Sequence, residues 1–184
     1  MWKSSPYATC MRIGSRRRKS RSSGCAASVS YTHLAVSIWP TVQQDSENYR
    51  EMLEKGYLTR VDMGARVTIL STEWTVYFDA TNEQARRYVW EKAKKSYFDA
   101  GIKFFWLDAA EPQYNFGFEL YRYQMGPHLT VGNLYPVLYA KGFYDGLREN
   151  GEENVLSLAR CAWAGSQRYG ALIWSCLLYT SRCV

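Results

Sequence analysis

Ile102-Lys103-Phe104-Phe105-Trp106-Leu107-Asp108 decides the fold. It is a short apolar and aromatic run ending on a carboxylate, and Ala109-Ala110-Glu111-Pro112 breaks out of it. A run of this length, bounded by Gly101 on one side and a Pro on the other, reads as a buried strand rather than a helix. Immediately upstream, Thr81-Asn82-Glu83-Gln84 has the pattern of a capping box, with Thr81 at the N-cap. The helix it opens is expected to run to about Asp99 and stop at Gly101, with Tyr88, Ala93 and Tyr97 on its buried stripe. Further back, Thr75–Phe78 reads as a strand, Ser46–Lys55 as a helix, and Ala35–Trp39 as a strand stopped by Pro40.

Downstream, a polar, Tyr-rich stretch to about Gly132 is longer than the usual connection, which marks it as a functional loop. A helix is expected from about Asn133 to Asn150. Strands follow at Val155–Ala159, ending on Arg160, and at Ala171–Trp174. Strand–helix alternation of this kind argues a parallel α/β fold. An open doubly wound sheet and a (β/α)8 TIM barrel both fit it. Trp39, Asp108, Arg160 and Trp174 each end a predicted strand, where a barrel places its functional groups, and this favours a partial barrel of several consecutive strand–helix units. The strands should then lie parallel and adjacent, with Asp108 and Arg160 at the same edge.

At 184 residues, with 47% hydrophobic and 22% charged residues, the composition is that of a globular domain. No run approaches the roughly 20 apolar residues of a membrane-spanning helix, so no membrane partner is expected. The net charge of +6 would ordinarily point to nucleic acid. Its distribution removes that reading. Residues 1–34 hold seven Lys or Arg, including Arg16-Arg17-Arg18-Lys19, and no acidic residue, whereas residues 35–174 carry a net charge of −2. Four of the five Cys also lie in the flanks and only Cys161 lies in the body, which leaves neither a disulfide framework nor metal-ligand spacing.

The flanks have a second peculiarity. Cys176-Leu177-Leu178-Tyr179-Thr180-Ser181 is one translation of TGTCTCTTATACACATCT. The same string shifted by one base encodes Val29-Ser30-Tyr31-Thr32-His33-Leu34, and its reverse complement opens with the codons of Arg182-Cys183-Val184. This resembles a sequencing-library adapter translated in two frames. Residues 1–34 are therefore expected to be an artefactual, disordered basic arm, 176–184 an adapter-like tail, and 35–175 the evolved body. The first 28 residues show no apolar signal region, and the compartment is left open.

A carboxylate can attack an anomeric carbon, an arginine can bind sugar hydroxyls, and indole faces pack on sugar rings, so Asp108, Arg160 and the Trp residues form a set suited to glycosidic cleavage. Taken singly, each has a plainer reading: Asp108 as a turn residue, Arg160 as a surface ion pair, the Trp residues as core. Glu111 is free to pair with Arg160 or face solvent, His128 reads as a loop residue, and Cys161 as a small core residue.

Phe104-Phe105-Trp106-Leu107-Asp108-Ala109-Ala110-Glu111-Pro112 and Arg160-Cys161-Ala162-Trp163-Ala164-Gly165-Ser166-Gln167-Arg168-Tyr169-Gly170 resemble glycoside hydrolase family 31, in its bacterial α-xylosidase and α-glucosidase branch. Ser37-Ile38-Trp39-Pro40-Thr41, Phe78-Asp79-Ala80-Thr81-Asn82 and Gly132-Asn133-Leu134-Tyr135-Pro136 extend the likeness over 35–175. The resemblance implies a retaining α-glycosidase acting on an oligosaccharide or glycoside, needing no cofactor and no metal. It places the nucleophile on Asp108 and substrate hydroxyls on Arg160. Trp39, Trp106 and Trp174 match positions lining the subsite for the cleaved sugar, with Glu111 in support. The family continues Trp-Ser-Gly-Asp and uses that Asp as general acid/base, whereas here Trp174-Ser175 runs into Cys176-Leu177. The chain as written is therefore expected to be inactive. A non-catalytic carbohydrate-binding protein is the competing reading. Which sugar is cleaved and the oligomeric state are not legible.

Overall fold

The computed structural model describes residues 10–12, 34–61, 75–110 and 118–174. Its main sheet has five strands: β1 (Cys10–Arg12), β2 (Leu34–Ile38), then, after the elements named below, β6 (Phe104–Leu107), β9 (Ser157–Ala159) and β10 (Ala171–Ile173). They lie side by side in the order β1-β2-β6-β9-β10. From β2 to β10 all pairings are parallel, while β1 is antiparallel to β2. Spatial order follows chain order without reversal. A doubly wound sheet reverses at a switch point; a barrel does not, so this progression settles the choice in favour of a barrel segment.

One of the expected arrangements is corrected. The Thr75–Phe78 segment is not a member of the parallel sheet. Its strand β5 (Thr75–Tyr77) pairs antiparallel with β3 (Thr41–Gln43), and Phe78 bridges to Leu58. The Phe78 N–H donates to Pro40 O at 2.9 Å, which closes β5 against the end of β2. Residues 75–80 are all buried, so the run carries no alternation that could name its partner. Of residues 1–33, the described Cys10–Arg12 form β1, with Cys10 opposite Val36 and Arg12 opposite Leu34.

The excursion between β2 and β6 also contains α1 (Glu47–Glu54), β4 (Arg60–Val61) and α2 (Glu83–Ser96). Asn82, not Thr81, caps α2: its Oδ1 accepts from Gln84 N at 2.9 Å and Ala85 N at 3.3 Å. Thr81 is engaged elsewhere. The expected loop between β6 and residue 132 holds a hairpin, β7 (Tyr121–Tyr123) and β8 (Gly126–Pro127), followed by α3 (His128–Val131). β4, β7 and β8 form a separate three-stranded antiparallel sheet. His128 is buried in α3 rather than placed in a loop, and its Nδ1 lies 2.9 Å from the Tyr123 hydroxyl. Helix α4 (Leu134–Glu149) then leads to β9.

The helix side of the sheet is an aromatic core. Phe105 is fully buried and packs at 6.1 Å against Trp90 of α2 and 5.2 Å against Phe143 of α4. Helices α2 and α4 approach closely at Gly146, where a Cβ would lie 2.2 Å from Trp90 Cδ2. Only a residue without a side chain admits that indole. Between β9 and β10 a single 3-10 turn, Ser166–Tyr169, replaces a full helix. Gly170 ends it at φ +62°, and a Cβ there would meet Val155 O at 2.1 Å.

Three buried phenols tie the core to its pH range. Tyr135 donates to Phe78 O at 2.8 Å and Tyr139 to Ile38 O at 3.1 Å. Burial holds both well above the ordinary phenol value near 10, and it pushes Tyr121 up to about 12. Folding thus favours the protonated form. Above pH 10 the unfolded chain loses protons that the native state keeps, so stability is intact below that value and falls as pH rises through 12 and beyond. Thermal melts from pH 8 to 12 should show a flat melting temperature up to about 10 and a steep decline above it. A flat profile to pH 12 would contradict the burial of these hydroxyls.

Candidate active site

The parallel register Ile38–Leu107–Ala159–Ile173 brings Trp39, Asp108, Arg160 and Trp174 into one row, one residue beyond the C-terminal ends of their strands. Backbone bonds extend the ladder to that row: Asp108 N donates to Ile38 O at 3.0 Å, Arg160 N to Leu107 O at 3.4 Å, and Trp174 N to Ala159 O at 2.9 Å. These side chains therefore hang from the sheet itself. By the two-residue alternation of a strand, Trp106 shares the face of Asp108, opposite the helix-covered Phe105 and Leu107.

Asp108 is 6% exposed. Its Oδ1 accepts from Ala109 N at 2.8 Å and faces Arg160 Nη1 at 3.1 Å. Its Oδ2 accepts no hydrogen bond among the described residues. The carboxylate is held by one oxygen, and the other is unengaged among the described residues. Ala109 takes φ +51°, in the left-handed region. For a residue with a Cβ this costs on the order of 1–3 kcal/mol and needs a surrounding that over-determines it. The Asp108 bond and the burial of Ala109 and Ala110 supply that.

Trp106 and Trp174 meet edge to face, centroids 4.9 Å apart and rings at 84°. Trp106 is 8% exposed, and its Nε1 finds no hydrogen-bond partner among the described residues. A buried indole N–H without an acceptor is costly, and Trp90 Nε1 in the core shares that condition. Trp39 is half-buried at the start of the same row. Of the residues singled out in the sequence, the structure brings together Asp108 with Arg160 and Trp106 with Trp174. Glu111 lies outside the described residues. Cys161 is half-buried against the core.

Asp79 went unrecognised in the sequence. It is 3% exposed; Oδ1 accepts from Thr81 N at 2.9 Å and Thr81 Oγ1 at 2.7 Å, and Oδ2 from Gln124 N at 2.6 Å. Thr81 Oγ1 in turn accepts from Met125 N at 3.2 Å. This clasp fixes the β7–β8 hairpin, which follows the Asp108 strand, to the segment entering α2. An Asp two residues before a Thr is the signal, a side-chain turn that the capping-box pattern obscured.

Fold and site together define a β/α-barrel domain with its polar groups on the C-terminal edge of the sheet. Residues 20–179 match the glycosyl hydrolases family 31 TIM-barrel domain, and the chain belongs to that family. Over 143 residues it is 54% identical to the uncharacterized family 31 glucosidase ORF2 of Pseudescherichia vulneris, covering 77% of this chain and 27% of that protein. It is 32% identical over 166 residues to alpha-xylosidase A of Aspergillus niger, covering 77% of this chain and 23% of the relative. Among solved structures, a family 31 alpha-xylosidase from a soil metagenome complexed with xylose superposes with a TM-score of 0.73 at 57% identity, over 77% of this chain and 21% of that one. The chain spans about a quarter of the length of the curated relatives it matches.

Proposed function

We propose that the chain is part of the catalytic barrel of a retaining α-glycosidase that hydrolyses a terminal α-linked xylose or glucose. The observation that carries this reading is the Asp108–Arg160 pair at the C-terminal edge, with one carboxylate oxygen tied down and the other unengaged. In this reading Oδ2 of Asp108 attacks the anomeric carbon and the glycosidic bond breaks. Water then hydrolyses the covalent glycosyl-enzyme. Arg160 binds substrate hydroxyls and orients Asp108 through the 3.1 Å contact of its Nη1 with Oδ1. Trp106 offers its N–H to a hydroxyl, while Trp174 and Trp39 pack on the sugar, with Glu111 in support. No metal or cofactor enters these steps.

The relatives' printed activities, an alpha-xylosidase and a glucosidase, favour xylose and glucose over other sugars. Retaining hydrolysis also needs a second carboxyl group about 5–5.5 Å from the first to protonate the leaving oxygen. The segment after Trp174-Ser175 reads Cys176-Leu177 where the family carries Gly-Asp, so this chain alone lacks that group. The assay is nitrophenol release from aryl α-xyloside and α-glucoside. The 184-residue chain should release none above background. A chain in which residues 176–184 give way to the family continuation and residues 1–34 to the matching upstream region should turn over one of the two. Turnover of neither by the completed protein, once folded, would favour the carbohydrate-binding reading.

A further inference from the structure

Two buried tyrosines one turn apart on α4, Tyr135 and Tyr139, reach off the helix to backbone carbonyls. Tyr135 donates to Phe78 O at 2.8 Å and Tyr139 to Ile38 O at 3.1 Å. The second carbonyl is the one that already takes the Asp108 N–H at 3.0 Å. A peptide oxygen has two lone pairs. Here one bond comes from the residue that ends β6, and the other from the helix that follows that strand. The Ile38 carbonyl is also half of a planar peptide whose other half is the nitrogen of Trp39. Whatever fixes that plane fixes both the direction in which Trp39 leaves β2 and the acceptor on which Asp108 hangs. The Tyr139 ring is itself held, packed edge to face on Phe78 at 5.5 Å and on Phe143 at 5.6 Å. Burial, reinforced by the Asp108 charge, keeps its phenol well above the ordinary value, so the hydroxyl remains a donor.

We propose that Tyr139 is a positioning residue of the Asp108 row: from α4, its hydroxyl holds the Ile38–Trp39 peptide in the orientation that presents Asp108 and Trp39 to the sugar. The role in turnover rests on the reading of Asp108 as nucleophile. Tyr139 acts on geometry and transfers no proton, because its hydroxyl ends on a backbone oxygen. Misplacing a reacting group by about 1 Å costs on the order of a hundredfold in rate, so a partial release of this peptide should cost about tenfold. Tyr135 makes the matched comparison. It is equally buried on the same helix, but its carbonyl lies on the segment that pairs with β3 rather than in the main sheet.

The test pairs Tyr139→Phe with Tyr135→Phe. Both keep the ring and delete one buried hydroxyl, so a purely structural role predicts like consequences for the two. The first arm is amide hydrogen exchange in the 15N-labelled 184-residue chain. The reference is the Trp106 amide, opposite Ser37 in the same strand pairing, which corrects for any change in global stability. Relative to it, Asp108 should exchange about three to ten times faster in Tyr139→Phe, the scale of one hydrogen bond. Tyr135→Phe should leave that ratio at the parent's value while lowering Tm at least as much, since the bond it removes is the shorter one. The second arm is kinetic, in the completed enzyme. Tyr139→Phe should lower kcat about tenfold with KM held within about twofold, whereas Tyr135→Phe should keep both within about twofold. An unchanged Asp108 ratio in Tyr139→Phe, an equal kcat loss in both variants, or a Tyr139→Phe loss confined to KM would each overturn the proposal. Failure of the nucleophile reading is a separate result, seen as turnover retained by Asp108→Asn or as no turnover by the completed protein. The exchange arm then decides by itself whether Tyr139 holds this peptide.

Discussion

Asp108→Ala in the completed enzyme is expected to lower turnover of the aryl α-glycoside by roughly 10^4-fold or more, the scale on which loss of a covalent nucleophile is felt. The carboxylate hangs from the ladder by its own backbone N–H, donated to Ile38 O, and its Oδ1 takes both Ala109 N–H and the Arg160 guanidinium. Alanine removes the attacking oxygen and also the acceptor that holds Ala109 in its left-handed conformation. Asp108→Asn separates the two effects. Its amide oxygen still accepts from Ala109 and Arg160, so the turn and the sugar pocket persist, while the group no longer attacks carbon. The two variants should therefore be equally inactive, but Asp108→Asn should keep the parent's affinity for free xylose or glucose. Wild-type turnover in either variant would show the nucleophile to be elsewhere.

Phe105→Ala should be the most damaging core substitution. The ring is fully buried and touches Trp90 from α2 and Phe143 from α4, so it joins both helices to the central strand. Truncating a buried Phe costs about 3–5 kcal/mol, part transfer and part cavity. Trp90 also packs closely on Gly146, where a Cβ would lie 2.2 Å from its Cδ2. Against a total stability of about 5–15 kcal/mol for a domain, such a loss leaves little. Urea denaturation should place the midpoint far below the parent's, with loss of the near-ultraviolet signal of the aromatic cluster. A midpoint shift corresponding to less than about 1 kcal/mol would mean that the ring is not packed as described.

Much of the barrel was legible because its strands announce themselves locally. Phe104–Leu107, the Ala35–Trp39 run and the segments ending at Arg160 and Trp174 all recur as parallel neighbours, within a residue or two of their expected bounds. The polar or aromatic residue terminating each strand could be read as belonging to one edge, since parallel strands of a barrel share a direction. Thr75–Phe78 misled for the opposite reason. It is as apolar as a barrel strand, and nothing in its composition reveals that its partner is Thr41–Gln43. The cap of α2 misled because Thr81 and Asn82 are both good caps, and a distant hairpin claimed Thr81.

By itself the sequence determined the strand-end residues and the family motifs, because these depend on spacing along one chain. Of the stripe expected on α2 only Ala93 is buried, with Ala85, Val89 and Trp90, while Tyr88 and Tyr97 are half-buried. Only the tertiary structure decided which strands are neighbours, that Asp108 Oδ1 is shared between Ala109 and Arg160, that Trp106 meets Trp174, and that Arg60 stands opposite Arg122. Each of these is a pairing between residues far apart in sequence. Such a pairing is set by the register of hydrogen-bonded strands and by what the aromatic core leaves room for, neither of which is written in local propensity.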